Sequence, residues 1–246
     1  MNRSFGKAYK LPRHFTPLSI SGLVLWLDAS YITGFNDGDS VTTWSDLSGN
    51  GNDATQATAS KRPVYKVNII NGRPVVRFDG TDDFMAAPTG ARPPTSYTVF
   101  IVAAINNLVP ATYYRLIATL DSGGNVGLAL MRQGDNNTWR HTWGTGVTTS
   151  DVEGGTVVVS VFDIVIGTHN GTTSSLFENG SSVGTPISSA YSQGTNDVEV
   201  GSTSGGTIGF LNGDIAAIGI YTSSLSTTDR QRIERYLGSR YGITVS

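Results

Sequence analysis

Three segments near the amino terminus decide the fold: LVLWLDAS at residues 23–30, TWSDLSGNGNDATQ at residues 43–56 and GRPVVRFDGTDDF at residues 72–84. The first and third contain runs of apolar, β-branched and aromatic residues that end in an aspartate, which is typical of buried strands. The middle segment is rich in Asp, Ser, Asn and Gly, which favour turns. We therefore expect two strands joined by a turn-rich connection, with the remaining strands of the same sheets after residue 83.

The rest of the chain alternates short β-rich runs with turn clusters, at the spacing expected of a sandwich or jelly roll. Asn71-Gly72 and Asn179-Gly180 are hairpin signals, because a type I′ turn needs a positive φ at both central positions. The predicted strands are 23–27, 41–44, 64–67, 75–78, 97–104, 115–120, 126–131, 138–143, 157–166, 175–178, 197–201 and 214–221.

One helix is predicted near the carboxyl terminus. Ser226 can cap it, Asp229 lies in its first turn, and Gly242 is a suitable stop. Ile233, Tyr236, Leu237 and Tyr241 recur at helical spacing. This apolar stripe predicts a helix that covers the sandwich, and a partner-binding helix is the alternative.

Composition excludes several classes of function. The chain has 246 residues and no cysteine, so it has neither disulfides nor thiolate metal sites. A net charge of -2 gives no electrostatic footprint for nucleic acid. The amino terminus lacks the apolar region of a signal peptide, and no apolar run is long enough to cross a membrane. We expect a single domain with no nucleic-acid partner and no membrane insertion.

Residues 1–21 differ from the remainder and are predicted to be an extended amino-terminal arm, with the β-sandwich domain over residues 22–246. The arm combines basic and apolar side chains without strand or helix periodicity, so it cannot fold alone. It is either an anchor that docks on a partner or a loosely packed tail. The predicted partner-binding residues are Arg3, Phe5, Lys7, Tyr9, Lys10, Leu11, Arg13 and Phe15.

The blocks above resemble the concanavalin A-like lectin/glucanase superfamily, in particular its laminin-G-like branch. The resemblance continues through SYTVFIVAAI, SLFENGSSVG, VEVGSTSG and GFLNGDIAAIGIYTSSLSTTDRQRIERYLGSRYG, and so covers residues 22–243. It implies an all-β, two-sheet antiparallel jelly-roll sandwich with one C-terminal helix.

The branch is common in bacteriophage virion proteins, and the short basic arm leading straight into the domain is similar to those examples. The resemblance implies a non-catalytic virion structural protein, made in the host cytoplasm and displayed on a capsid or tail. Its partners would be other virion proteins, bound through residues 1–20, with host surface glycans and homo-oligomers as further expectations. The alternatives are a carbohydrate-binding lectin-like module and, third, a polysaccharide-cleaving enzyme.

Enzymes of this superfamily carry paired carboxylates on one strand face, because residues i and i+2 of a strand point to the same side. The nearest matches are Asp151-Val152-Glu153 and Asp197-Val198-Glu199. Neither has the third carboxylate of the family pattern, and the first runs into a glycine pair. We therefore predict no catalytic residues.

Strand alternation places Trp139, His141 and Trp143 on one face of the segment TWRHTW. Aromatic rings can stack on the apolar face of a sugar, so the three form a candidate glycan-binding platform. The alternative is that they belong to the sandwich core.

The resemblance also implies calcium, which binds six to eight oxygen atoms from carboxylates, amides and carbonyls. The oxygen-rich loop 46–53 supplies Asp46 and Asn50, and the GDIAAI strand supplies Asp214. These three are the predicted metal ligands. Capping of turns by the Asp and Asn side chains is the alternative.

Overall fold

The computed structural model describes residues 15–110, 112–121 and 125–246. These residues form sixteen strands and one α-helix. The strands are β1 Leu23–Asp28, β2 Thr43–Trp44, β3 Ala54–Thr55, β4 Val64–Ile70, β5 Arg73–Asp79, β6 Met85–Ala87, β7 Ser96–Ile105, β8 Tyr114–Ala118, β9 Leu128–Arg132, β10 Trp139–Gly144, β11 Thr149–Gly154, β12 Asp163–Asn170, β13 Thr173–Glu178, β14 Ser181–Ser188, β15 Val198–Val200 and β16 Asn212–Tyr221. The helix, α1, is Thr227–Tyr241.

The strands pair antiparallel in two sheets of eight. The first sheet has the order β14-β13-β12-β7-β16-β5-β4, and β1 joins it beside the second half of β16. The second sheet has the order β11-β10-β9-β8-β15-β6-β3-β2. This is the two-sheet antiparallel sandwich that the sequence predicted, and the fold class is confirmed.

The central strands of the first sheet are buried on both faces. The inner face of this sheet packs on the second sheet around a large core that includes Trp44, Phe78 and Trp139. Its outer face packs on α1, where Phe100 and Trp26 contact the helical stripe 233–241. Burial on both sides explains why β7 and β16 read as nearly continuous apolar runs. The helix covers the sandwich, as its apolar stripe predicted.

The predicted turn and cap signals are confirmed. Ser226 accepts a hydrogen bond of 3.1 Å from the backbone N–H of Asp229, and Gly242 ends the helix at φ 71°. Asn71-Gly72 joins β4 to β5 with φ values of 46° and 70°. Asn179-Gly180 joins β13 to β14 with φ values of 48° and 90°.

Four short or exposed strands have no counterpart in the sequence prediction: β3, β6, β11 and β14. The last two are the edge strands of the two sheets, and most of β14 is exposed, so neither shows apolar alternation. The predicted strand 157–166 also begins too early, because β12 starts at Asp163 after a turn with Ser160 at φ 57°.

Packing contacts reach back to Phe15, inside the arm predicted over residues 1–21. The Phe15 ring lies edge-on to Tyr236 at 6.0 Å, and Ile20 is buried against the outer face of the first sheet. The Pro17 carbonyl accepts a hydrogen bond of 2.8 Å from the Tyr221 hydroxyl. Among the described residues, no helix is long and apolar enough to cross a membrane.

Candidate functional site

The aromatic face of β10 points into the core. Trp139, His141 and Trp143 share one face, as predicted, but each has 0 % of its surface exposed. β10 is paired on both edges, and this face packs against the first sheet. The predicted glycan platform is therefore wrong, because no sugar can reach these rings. The core alternative is the one that the structure supports.

The two buried histidines belong to an aromatic cluster, which we call the core histidine cluster: Tyr97, His141, Trp143, His169 and Tyr191. His141 Nε2 lies 3.0 Å from the Tyr97 hydroxyl. Complete burial disfavours the imidazolium form, and this lowers the pKa of His141 to about 3. His141 is thus a neutral, hydrogen-bonded part of the core.

Trp139 has a second role that the sequence did not reveal. Its indole N–H donates to Glu178 at 3.0 Å and to Asp163 at 3.3 Å. Burial raises the pKa of both carboxyl groups. Asp163 also accepts a bond of 2.7 Å from the Asn179 side chain, so this pair ties β10 to the β12–β13 hairpin.

The oxygen-rich loop 46–53 is satisfied by its own chain. Asp46 accepts four hydrogen bonds of 2.7–3.0 Å, from the amides of Trp26, Ser48 and Asn52 and from the Ser48 hydroxyl. Asn50 donates to the Leu23 carbonyl at 3.0 Å. The loop therefore clamps β1, as the turn-capping alternative anticipated.

The predicted calcium ligands do not form a cation site. Both oxygens of Asp214 accept bonds from Arg77, at 2.6 and 2.7 Å. Both oxygens of Asp46 already accept bonds within the loop. Because a guanidinium occupies one carboxylate and amide and hydroxyl donors occupy the other, Asp46, Asn50 and Asp214 do not fit a calcium ion.

The carboxylates closest to a catalytic pattern also have structural partners. Asp151 pairs with Arg140 at 2.6 Å, and Glu153 accepts bonds from the turn before β10. Glu199 is buried and accepts three bonds of 2.7–2.9 Å from the loop 202–206. Asp197 lines a hollow beside it. The side chains of Asp151, Glu153 and Glu199 hold neighbouring strands and loops in place.

A polar cavity of about 540 Å³ opens at one end of the first sheet, and we call it the sheet-end cavity. It lies where β5 and β7 end and where β4 and β16 begin, four termini that antiparallel pairing brings together. Its lining residues are Ser40, Ala59, Ser60, Arg62, Val64, Arg77, Phe78, Asp79, Asp83, Asn106 and Asn212.

Asp83 is the most enclosed acid of the sheet-end cavity, with 6 % of its surface exposed. One of its oxygens accepts the backbone N–H of Asp79 at 3.1 Å, and the other has no donor among the described residues. Burial, together with the nearby charge of Asp79, raises the pKa of Asp83 to about 6. Asp79 likewise uses one oxygen for the turn that follows it, at 2.7 Å from the Thr81 amide.

Asn212 and Asn106 lie at the rim of the cavity. The side-chain amide of Asn212 donates to the Asp79 backbone carbonyl at 3.0 Å. The backbone carbonyl of Asn212 accepts the Asn106 backbone N–H at 2.9 Å. Gly80 makes this contact possible, since a Cβ there would lie 2.7 Å from Asn212 Cβ. Its φ of 81° is also unfavourable for other residues.

Asp79, Asp82 and Asp83 are the acidic group that could hold a cation within the described part of the chain. One oxygen of each lies within 4.8 Å of the other two. Three carboxylates suit a hard ion such as calcium, and the free oxygen of buried Asp83 is consistent with such a ligand. The segment FDGTDDF predicts a turn at the end of a strand. That four strand ends meet beside this turn is visible only in the folded structure.

Comparison with known families now places the chain. The family model described as concanavalin A-like lectin/glucanases superfamily matches residues 79–229. The chain belongs to this superfamily. The match begins at Asp79, the residue at the end of β5. A search of curated protein sequences found no significant match.

Solved structures share the fold of this chain at low sequence identity. Trypanosoma rangeli sialidase is 17% identical, with a TM-score of 0.59 over 92% of this chain and 34% of that one. Domain 4 of the Geobacillus stearothermophilus arabinanase AbnA, in complex with arabinotriose, is 15% identical, with a TM-score of 0.64 over 86% of this chain and 98% of that one. The botulinum neurotoxin serotype D binding domain is 12% identical, with a TM-score of 0.61 over 87% of this chain and 51% of that one. The chain spans about a third of the length of the sialidase.

Proposed function

We propose that this chain is a non-catalytic binding domain, displayed on a bacteriophage particle through its amino-terminal segment, with weak adhesion to surface glycans. The observation that carries the adhesion is the sheet-end cavity. Its volume of about 540 Å³ is large enough for one or two sugar rings.

The cavity offers the donors and acceptors that sugar hydroxyls need. A hydroxyl both donates and accepts, so it pairs well with a carboxylate beside an amide. Asp83 and Asp79 each keep one oxygen without a protein donor among the described residues, and the side-chain amide of Asn106 is likewise unpaired there. The cavity wall adds the hydroxyls of Ser40 and Ser60.

The acids nearest to a catalytic pattern favour binding over hydrolysis, because Asp151, Glu153 and Glu199 already have protein partners. The nearest oxygens of the acidic group Asp79, Asp82 and Asp83 lie within 4.8 Å of one another, an arrangement that suits a shared ligand. Two of the similar structures are a domain bound to arabinotriose and a toxin binding domain, which is consistent with a binding role.

Display would come from the segment before Phe15. Its sequence combines apolar side chains with Arg3, Lys7, Lys10 and Arg13, a composition suited to docking on another protein. Seven of the predicted partner-binding residues lie outside the described residues: Arg3, Phe5, Lys7, Tyr9, Lys10, Leu11 and Arg13. Many copies on one particle would turn weak single-site adhesion into useful avidity.

Co-sedimentation with particles that lack this component tests the display. The full chain is compared with Phe5→Ala/Tyr9→Ala/Leu11→Ala and with a control, Asn2→Ala/Ser4→Ala, whose changes lie in the same segment. We expect the full chain and the control to sediment with the particles and the triple variant to remain in solution. Equal sedimentation of all three, or of none, would overturn the attachment.

A calcium-dependent lectin that acts without a particle is the second candidate, and the acidic group Asp79, Asp82 and Asp83 favours it. It predicts glycan binding that EDTA abolishes and calcium restores. It also predicts that no form of the chain sediments with particles.

A further inference from the structure

A groove runs along the exposed side of α1, on the face of the molecule where the amino-terminal segment joins the domain. Its volume is about 580 Å³. We call it the arginine groove, and its lining residues are Phe15, Thr16, Tyr31, Arg73, Arg232, Arg235, Tyr236, Ser239 and Arg240. Phe15, the one predicted partner-binding residue that the structure describes, lines the groove beside arginines from α1 and β5.

The charge of the groove is positive. Four arginines line it and no carboxylate does. Arg240 is paired with Asp28 at 2.9 Å, and Arg232 with Asp229 at 3.0 Å. Within the described part of the chain, Arg73 and Arg235 have no acidic partner. The groove thus presents two uncompensated positive charges on a chain whose net charge is -2.

Aromatic rings hold the guanidinium groups in place. Arg232 lies 4.5 Å from the centre of the Phe15 ring, and Arg240 lies 5.2 Å from that of Tyr31. The Arg73 side chain donates to the Arg240 carbonyl at 2.8 Å. Because these heads are already ordered, little side-chain entropy would be lost when they bind an anion.

We propose that the arginine groove binds an acidic peptide segment of a partner protein, with or without aromatic residues in that segment. Planar guanidinium groups match carboxylates through paired hydrogen bonds, and Tyr31, which is 50 % exposed, offers an apolar wall beside them. The segment before Phe15 is basic, so charge repulsion excludes it as the occupant.

The position of the groove favours a protein over a polyanion. Arg232, Arg235 and Ser239 follow one side of α1 at helical spacing, over a length that suits a few residues of extended chain. A nucleic acid needs a longer basic track than the four arginines of this groove, on a chain whose net charge is -2. The inference rests on the proposed display in one respect. The groove lies next to Phe15 and Thr16, which directly follow the segment proposed to attach the chain to a particle.

Binding of a fluorescein-labelled deca-glutamate peptide to the full chain tests the inference, at a salt concentration of about 50 mM to limit screening. The variants are Arg235→Glu, which changes an exposed side chain, and Arg73→Glu/Arg235→Glu. Lys61→Glu/Lys66→Glu is the charge-matched control, and neither of its lysines lines the groove. Thermal unfolding of each variant reports whether it is folded.

We expect saturable binding by the full chain and the lysine control, weakened roughly five-fold or more by Arg235→Glu and further by the double variant. No saturable binding, or equal weakening in the lysine control, would overturn the proposal. So would tighter binding of a polyuronate or a single-stranded oligonucleotide through the same arginines. Particle sedimentation separates this test from the test of display. Peptide binding without sedimentation would support the groove proposal and contradict the proposed display on a particle.

Discussion

The core histidine cluster and the sheet-end cavity both contain polar side chains in partly or fully buried surroundings. They differ in whether those side chains are enclosed or accessible. In the cluster, His141 is wholly enclosed and bonds to Tyr97. In the cavity, Asp83 is almost as buried but keeps an oxygen without a protein donor. The first arrangement is fully enclosed in the core, whereas the second lines an open cavity, where a carboxylate oxygen is accessible to a ligand.

The comparison shows why residue type alone misleads. Trp and His are common in sugar sites, but on β10 they face the opposite sheet. The sheet-end cavity is lined by short polar side chains at strand ends and turns, together with Arg62, Arg77 and Phe78. Such side chains are common in turns throughout the sequence, so their composition does not mark them as a site.

The largest effect is expected from Trp139→Ala. The substitution opens a cavity in the core and leaves Asp163 and Glu178 without their indole donor. We expect a loss of about 3–5 kcal/mol in the free energy of unfolding. Urea denaturation measures it, with Val147→Ala, at a residue 81 % exposed, as the control. A loss under about 1 kcal/mol, typical of surface sites, would contradict the assignment of Trp139 to the core.

Acidification should destabilise the fold through His141. Its folded-state pKa is about 3, against an ordinary value of 6.5, so the unfolded chain binds a proton that the folded chain does not. Between those two pH values the unfolding free energy should therefore fall with decreasing pH, by about 1.4 kcal/mol per pH unit from this group. Stability curves of the parent and His141→Gln measure the contribution. Identical slopes below pH 6 would show that His141 is protonated in the folded chain.

Gly80→Ala and Gly49→Ala form a matched pair that sharpens the comparison. Both glycines have positive φ, 81° and 89°, but only a Cβ at Gly80 would meet a neighbour, Asn212. Backbone strain at positive φ should cost each variant about 1–2 kcal/mol of unfolding free energy. Gly80→Ala should cost about 1–2 kcal/mol more because it displaces Asn212. Equal losses in thermal unfolding would indicate that Asn212 is not fixed by this contact.

The smallest effect is expected from Asp83→Asn, which keeps the shape of the side chain and removes its charge. The ionised form of Asp83 opposes folding above its pKa of about 6. The variant should therefore be more stable than the parent at pH 8, by about 1 kcal/mol, and no more stable at pH 4. Unfolding is measured in EDTA so that no cation compensates the charge. A less stable variant at pH 8 would mean that the carboxylate has a stabilising partner besides the Asp79 backbone N–H.

Much of the fold could be predicted from the sequence because its signals are local. The Asn-Gly hairpins, the cap at Ser226 and the stop at Gly242 depend on a few adjacent residues, and all were confirmed. The edge strands β11 and β14 escaped because one side of each faces solvent.

The candidate site could not be predicted in the same way. Alternation placed Trp139, His141 and Trp143 on one face but could not say which face was inward. The pairing of Asp214 with Arg77 joins residues 137 positions apart and removed a predicted calcium ligand. Sheet order decides such contacts, and a single sequence does not reveal it.

Titration of glycans into the full chain tests the central claim, that ligand binding resides in the sheet-end cavity. A glycan panel selects the sugar, and calorimetry then compares the parent, Asp83→Asn/Asn106→Ala and Asp151→Asn, with a parallel assay for reducing ends. The account predicts saturable binding by the parent and by Asp151→Asn, a loss of at least roughly ten-fold, or 1.4 kcal/mol, in the cavity variant, and no reducing ends. Undiminished binding by the cavity variant, or release of reducing ends by the parent, would contradict it.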